Sequence, residues 1–446
     1  MESEKFWWKS ARIYELYIDA FAGNLQGLTA RLDYFTALGI NCLHILPHFP
    51  SPMIDDGYDI TDYRGVRPEL GTIDDFKRLI DEAHARGIRI IIDFVLNHTS
   101  DQHPWFVEAR SSKDNPKRDF YLWRDTPHGF EDSTNAFPDI KSSNWIANPA
   151  TSDYYFATFY PQQPDLNWDN NEVVREMLAN MDFWADMGVD GFRLDAACYL
   201  KKREGTTCKG LPETHQMIKE IRTHLDLKYP RGVILLAEAA QDITTTKEYF
   251  GQGDECQMVY HFPLMEQMWL GIAFGDTAPL QTMIKESFRD IPDNCQWAVF
   301  LRNHDEISLA TLDEAGRAQL VNTLDPAHTY PFNNGTTTSV RVATALRNNE
   351  ERVREAFEML YSTPGAPIMY YGDEIGMQNL PVQEGIVDTR KYVRGPFDWT
   401  EAEAQMKDPD SLWSHTQAII KHAARATPHV EPVPIEAGVS LHPNAS

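Results

Sequence analysis

Along the chain, apolar residues gather into short unbroken runs that alternate with stretches of helical period. Eight runs, near 13–18, 42–46, 88–95, 191–197, 233–239, 258–262, 298–301 and 368–371, are predominantly apolar, as strands buried on both faces must be. Between several of them the helical pattern is plain. Thr72 can cap a helix with Asp75 three residues on, and Phe76, Leu79, Ile80 and Ala83 then form one apolar stripe that Gly87 ends. Comparable stripes run through 28–38, 173–187, 217–225 and 353–360, with a last helix expected at 412–425. Alternating strands and helices predict a parallel sheet with crossover helices, and eight strands suffice to close it. The fold class expected is therefore α/β, a (β/α)8 TIM barrel.

The alternation breaks once, between about 100 and 168, where Pro, Asn, Asp and aromatic residues crowd together and helical period fades. That is too long for an ordinary loop, so it reads as a subdomain inserted after the third strand, on the rim where barrel enzymes assemble their sites. The expected organisation is barrel over 1–99 and 169–425, inserted subdomain over 100–168, and a short C-terminal remnant over 426–446. A second long connection, 306–348, follows the seventh strand.

Composition narrows the function. The 446 residues carry 41 basic and 66 acidic side chains, a formal charge of −25, which disfavours nucleic acid and anionic membrane as partners and leaves a small neutral substrate open. Five cysteines without Cys-x-x-Cys spacing suggest neither a disulfide framework nor a zinc site, and point to a reducing compartment. With no apolar leader or long apolar span, a cytoplasmic location is expected.

Ionisable groups follow directly on the apolar strands. Arg193 and Asp195 end the fourth, Glu238 the fifth, and Asn303, His304 and Asp305 the seventh, while His98 follows the third. Alternation points Arg193 and Asp195 to one side, so the cation is expected to hold the carboxylate ionised. Any one of these acids has an ordinary reading as a helix cap or ion-pair partner. Converging on one small volume, they offer what cleavage of a glycosidic bond needs: one carboxyl to protonate the departing oxygen and another to trap the anomeric carbon.

The stretches Asp93-Phe94-Val95-Leu96-Asn97-His98, Gly191-Phe192-Arg193-Leu194-Asp195-Ala196, Glu238 and Asn303-His304-Asp305 resemble the four strand-end signatures of the α-amylase superfamily of glycoside hydrolases. Gln163-Pro164-Asp165-Leu166-Asn167 is similar to a further signature of members acting on short α-glucosides. Within the superfamily, 97–105, 253–256 and 300–306 look most like trehalose synthases. The resemblance implies Asp195 as nucleophile, Glu238 as general acid and base, and Asp305 as the grip on two sugar hydroxyls. Arg193 would orient Asp195, and His98 and His304 would hydrogen-bond the same glucose. Tyr58 would stack on it, and Asp59 would pair with Arg394 to close the pocket, making the enzyme exo-acting.

Two features depart from the pattern. The loop after the first strand, 19–27, holds too few oxygen ligands for calcium and resembles the amylosucrase branch, so no metal is expected there, and no cofactor. The segment 306–348 matches trehalose synthases poorly, and the antiparallel β domain that usually follows the barrel is expected to be missing or truncated. The expected activity is that of a retaining α-glucosidase or transglucosylase on short neutral α-glucosides such as maltose, through a covalent β-glucosyl-aspartate. The alternatives are a trehalose synthase, turning maltose into trehalose, and a non-catalytic sugar-binding homologue, which the intact acids disfavour.

Overall fold

The computed structural model describes residues 6–424. Eight parallel strands close into a barrel: β1 (Ile13–Leu16), β2 (Cys42–Ile45), β3 (Arg89–Val95), β4 (Gly191–Asp195), β5 (Ile234–Ala237), β6 (Met258–Tyr260), β7 (Gln296–Phe300) and β8 (Ala366–Tyr370). Each strand pairs with its neighbours in sequence, and β8 returns to β1 through Ile13 opposite Ile368. The expected α/β barrel is thus what the chain forms. Several apolar runs outlast their strands because the next turn is buried as well. Ile18, Ala197 and Phe262 already belong to helices yet stay in the core.

The helix Ile73–Ala85 carries the full capping box between Thr72 and Asp75 and buries Phe76, Leu79, Ile80 and Ala83. The stripe at 28–38 is two helices, Leu25–Ala30 and Leu32–Leu38, broken at Arg31. Their buried residues Leu25, Leu28, Leu32, Phe35 and Leu38 continue one apolar face across the break, which hides it from periodicity. The last helix is Leu412–Ala423. The remnant expected at 426–446 lies outside the described residues.

Between β3 and the helix Asn171–Met187 the chain builds a three-stranded antiparallel sheet, in the order Trp123–Arg124, Asp153–Phe156, Trp145–Asn148. Bridges from His98 to Asp165 and from Tyr121 to Leu166 tie the exit of this segment to its entry. The connection after β7 holds the helix Glu314–Leu324 and a short hairpin, Pro331–Phe332 with Thr337–Thr338. After β8, Glu374 accepts hydrogen bonds from the hydroxyls of Tyr14 and Tyr34, both 2.6 Å, which fastens the closing strand to the first. All five cysteines are buried free thiols, and among the described residues no helix is long and apolar enough to cross a membrane.

Gly191, the first residue of β4, has no room for a side chain. A Cβ there would lie 2.5 Å from Ile234 Cγ1 and 3.3 Å from Ile91 Cγ1, on the strands to either side. Gly191→Ala is expected to destabilise the fold by about 1–3 kcal/mol, read as a lower melting temperature, because the barrel must open locally to admit a methyl group.

Candidate active site

β4 ends in alternating outward and inward residues, which puts Arg193 and Asp195 on the inner face together. Arg193 is fully buried, and one terminal nitrogen, Nη1, lies 2.6 Å from both Asp195 Oδ1 and Asp93 Oδ1. The other, Nη2, lies 2.5 Å from Glu238 Oε1, at the end of β5. A single planar cation therefore holds three carboxylates from three neighbouring strands. Directly after Asp195 the backbone turns through a left-handed conformation at Ala196 (φ 50°), a strained geometry for a residue with a side chain. That turn brings the Ala196 amide to 3.4 Å from Glu238 Oε2.

The opposite wall is built around His304. Its Nδ1 lies 3.0 Å from Glu15 on β1, and its Nε2 lies 2.6 Å from the Tyr58 hydroxyl and 3.1 Å from Asp305 Oδ2. The Tyr58 ring stacks on the imidazole at 5.3 Å and 12°, and its hydroxyl donates to Asp93 at 3.0 Å. Asp305 takes two guanidiniums on Oδ1, Arg394 at 2.9 Å and Arg390 at 3.1 Å. A cavity of about 440 Å3 opens between the walls, lined among others by Asp195, Glu238, Asp305, Tyr58, His98 and His304. That volume is in the range of small-molecule sites.

The pairing expected between Asp59 and Arg394 is not formed. Asp59 is spent on its own loop, accepting from the Ser51 hydroxyl at 2.7 Å and the Ile54 amide at 3.0 Å. Arg394 pairs instead with Asp56 and Asp305. The acid that turns toward the cavity is Asp55, bound by Arg390 at 2.9 Å and by Gln163 Nε2 at 3.0 Å. Sequence reasoning missed Asp55, Asp56 and Arg390. Three acids within five positions leave the choice to the shape of the turn, and Asp56 (φ 44°) and Gly57 (φ 106°) both adopt left-handed backbone that redirects the chain. One signal was present: Arg390 and Arg394, four apart in and just after one short helix, can reach the same partner. At the loop after β1, Asp19 already faces a protein cation, Arg67, at 2.7 Å.

Burial and charge divide the ionisable groups into two kinds. Burial drives the carboxyls of Asp195 and Glu238 above their ordinary range, opposed by Arg193 and reinforced by each other's neighbours, including Asp305 and Asp93. Arg193 does not keep Asp195 low, as expected from spacing alone, because one guanidinium divided among three carboxylates cannot offset their mutual repulsion and desolvation. Each raises the other's proton affinity, so the two titrate interdependently. Asp305, by contrast, is held well below the carboxylate range by His304, Arg390 and Arg394 against the cost of its burial. His304 is raised to about 9 by Asp305 and Glu15 despite its burial, whereas burial lowers His98 to about 4. His98 is thus a neutral imidazole, bonded through Nε2 to the Tyr58 carbonyl at 3.2 Å, beside a cationic His304.

Residues 8–331 match the α-amylase catalytic-domain family. The chain belongs to the α-amylase family. It is 43% identical over 405 residues to a trehalose synthase of Thermus thermophilus, covering 89% of this chain and 41% of that protein. An oligo-1,6-glucosidase of Heyndrickxia coagulans is 33% identical over 410 residues, 84% of this chain and 68% of the relative. Among solved structures, the trehalulose synthase of Pseudomonas mesoacidophila superposes with a TM-score of 0.75 at 27% identity, over 94% of this chain and 84% of that one.

The two histidines of the site should titrate far apart. In nitrogen-15 spectra of the histidine-labelled protein, His98 is expected to stay neutral down to about pH 4 and His304 to stay cationic up to about pH 9. Two imidazoles that both titrate near the ordinary value of about 6.5 would contradict this electrostatic layout.

Proposed function

We propose that the protein is a retaining α-glucosyl transferase of the trehalose-synthase kind. It opens the α-glucosidic bond of a short neutral disaccharide and returns the glucosyl group to the released sugar within the same pocket. The observation that carries this reading is the pair of carboxyls on one guanidinium, Asp195 on Nη1 and Glu238 on Nη2 of Arg193. That bridge keeps two acids side by side on one cation, one to attack and one to give a proton, which is the pair a double displacement requires.

In the first half, Asp195 attacks the anomeric carbon as the glycosidic bond breaks, and Glu238 gives its proton to the departing oxygen. The product is a β-glucosyl ester on Asp195 and a free sugar. Arg193 favours this direction because Glu238 becomes an anion as Asp195 loses its charge, so the guanidinium always has a negative partner. In the second half Glu238 takes a proton from an acceptor hydroxyl, which attacks the same carbon and releases Asp195. Asp305, fixed as an anion, and cationic His304 are placed to hold hydroxyls of the distorted sugar, with neutral His98 as a further partner and Tyr58 as the packing face. Arg390, tying Asp305 to Asp55, closes the far end of the pocket and makes the action exo, the role expected of Asp59 and Arg394.

Return to the sugar rather than to water is supported by the cover over the cavity. Phe137 of the inserted segment meets Phe332 of the hairpin after β7 edge to face at 6.0 Å, and the Asn334 amide donates to Asp139 at 3.0 Å. The Arg390 guanidinium lies over both rings, 4.8 Å from Phe137 and 5.2 Å from Phe332. An apolar contact packed on a binding-site cation at the edge of the cavity is suited to hold a released glucose and hinder water. The same first half followed by entry of water is the hydrolytic alternative.

Proton NMR of the enzyme with maltose, sucrose, trehalose and isomaltose in turn tests the reading. Trehalose accumulating from maltose with little free glucose is the expected result; glucose alone would make the protein a hydrolase, and no turnover of any of the four would remove the substrate class. Glu238→Gln is expected to lower kcat by about 10²–10⁴-fold, since the departing oxygen loses its proton donor. Phe332→Ala, which opens the cover and leaves Asp195 and Glu238 unaltered but loosens Arg390 beside Asp305, should raise the proportion of free glucose among the products severalfold.

A further inference from the structure

Two buried ionisable residues have no part in the chemistry above. Glu15 of β1 and His44 of β2 are fully buried inside the barrel, below the cavity. His44 Nδ1 lies 3.1 Å from Glu15 Oε2, and His44 Nε2 lies 3.1 Å from Asp93 Oδ2. Glu15 continues to His304, with Oε1 2.8 Å from its amide and 3.0 Å from its Nδ1. Asp93 continues to Arg193. The result is an unbroken series of opposite charges across the barrel floor: Asp305, His304, Glu15, His44, Asp93, Arg193 and then the Asp195–Glu238 pair.

We propose that Glu15 and His44 are positioning residues, a buried ionic bridge that couples the sugar-gripping wall at His304 and Asp305 to the reacting pair at Arg193. This deepens the proposed function and rests on it for the identity of the reacting groups. Removing either residue cuts the bridge at one place and leaves each neighbour with a single opposite charge where it had two, which is costly in a dry interior. The other groups facing the bridge are the hydroxyls of Tyr260 on β6, 3.1 Å from Glu15 and 3.3 Å from His44, and of Tyr58, between Asp93 and His304. Arg302 after β7 and Asp373 after β8 act on Glu15 through space. His44 is raised by its two carboxylate partners in spite of burial, and Glu15 is held far below the carboxylate range by the two imidazoles.

The two ends of the bridge have different consequences. Glu15 holds the proton on His304, so Glu15→Gln lets that proton leave at lower pH. His44 neutralises Asp93, so in His44→Gln the whole claim of Asp93 falls on Arg193, which then does less for Asp195, and the nucleophile takes up a proton at higher pH.

The experiment follows the imidazole nitrogens by NMR in the resting protein, alongside pH–rate profiles on whichever α-glucoside is turned over. Expected is a fall of about one pH unit or more, tenfold in proton affinity, for His304 in Glu15→Gln. In His44→Gln the acidic limb should rise with kcat reduced more than KM. A folded Glu15→Gln with an unmoved His304 titration, or a folded His44→Gln with an unmoved acidic limb, would overturn the proposal, as would a wild-type His304 titrating near its ordinary value. Should Glu15→Gln fail to fold, His44→Gln and the wild-type titration decide. Because the NMR reading needs no turnover, it stands apart from failure of the proposed activity.

Discussion

One guanidinium holds the centre of this molecule together. Arg193 lies among Asp93, Asp195 and Glu238 with no exposure to water, so each carboxylate has part of a cation and none has all of it. Unpaired, such a group of acids in a dry barrel would be ruinous; fully neutralised, it would have nothing to react with. Burial is what raises Asp195 and Glu238 together, and a cation they share with Asp93 offsets that only in part. The reactive property therefore comes from an imbalance that the fold enforces, and not from either acid by itself.

A parallel barrel is the scaffold that can impose this. The inner faces of β3 and β4 are in register, with Asp93 opposite Arg193 and Val95 opposite Asp195. Because side chains alternate along each strand, this register points Asp93, Arg193 and Asp195 to the barrel interior together. Gly191 allows β4 to approach both neighbours closely at its base. The charge arrangement thus depends on packing several residues away from any polar atom.

What could be read in the sequence follows the same division. Strands buried on both faces leave long apolar runs, so all eight were legible, and residues at strand ends inherited their place from the barrel. The breakdown came where the chain leaves the barrel. Asp55, Asp56 and Asp59 differ in role only because left-handed turns at Asp56 and Gly57 send neighbouring side chains in different directions, and no periodicity records that. Arg193 was correctly put beside Asp195, but its sharing with Glu238 and Asp93 is a three-body effect that pairwise spacing does not contain. Glu15 and His44 were hidden within apolar runs, where a lone polar residue in a short strand is indistinguishable from an irregularity of pattern.

The covering elements add a second constraint that the barrel does not supply. Arg390 belongs to both: it bonds Asp305 and Asp55 in the pocket and lies over Phe137 and Phe332 in the cover. Electrostatic grip on a sugar and closure against water are therefore not independent, since displacing either ring exposes the cation that fixes Asp305. A weaker hold on Asp305 and a leakier pocket should arise together from damage at this point. Under the proposed glucosyl transfer, the balance between returning the group to a sugar and losing it to water then depends on the packing of two phenylalanines from separate excursions on one arginine.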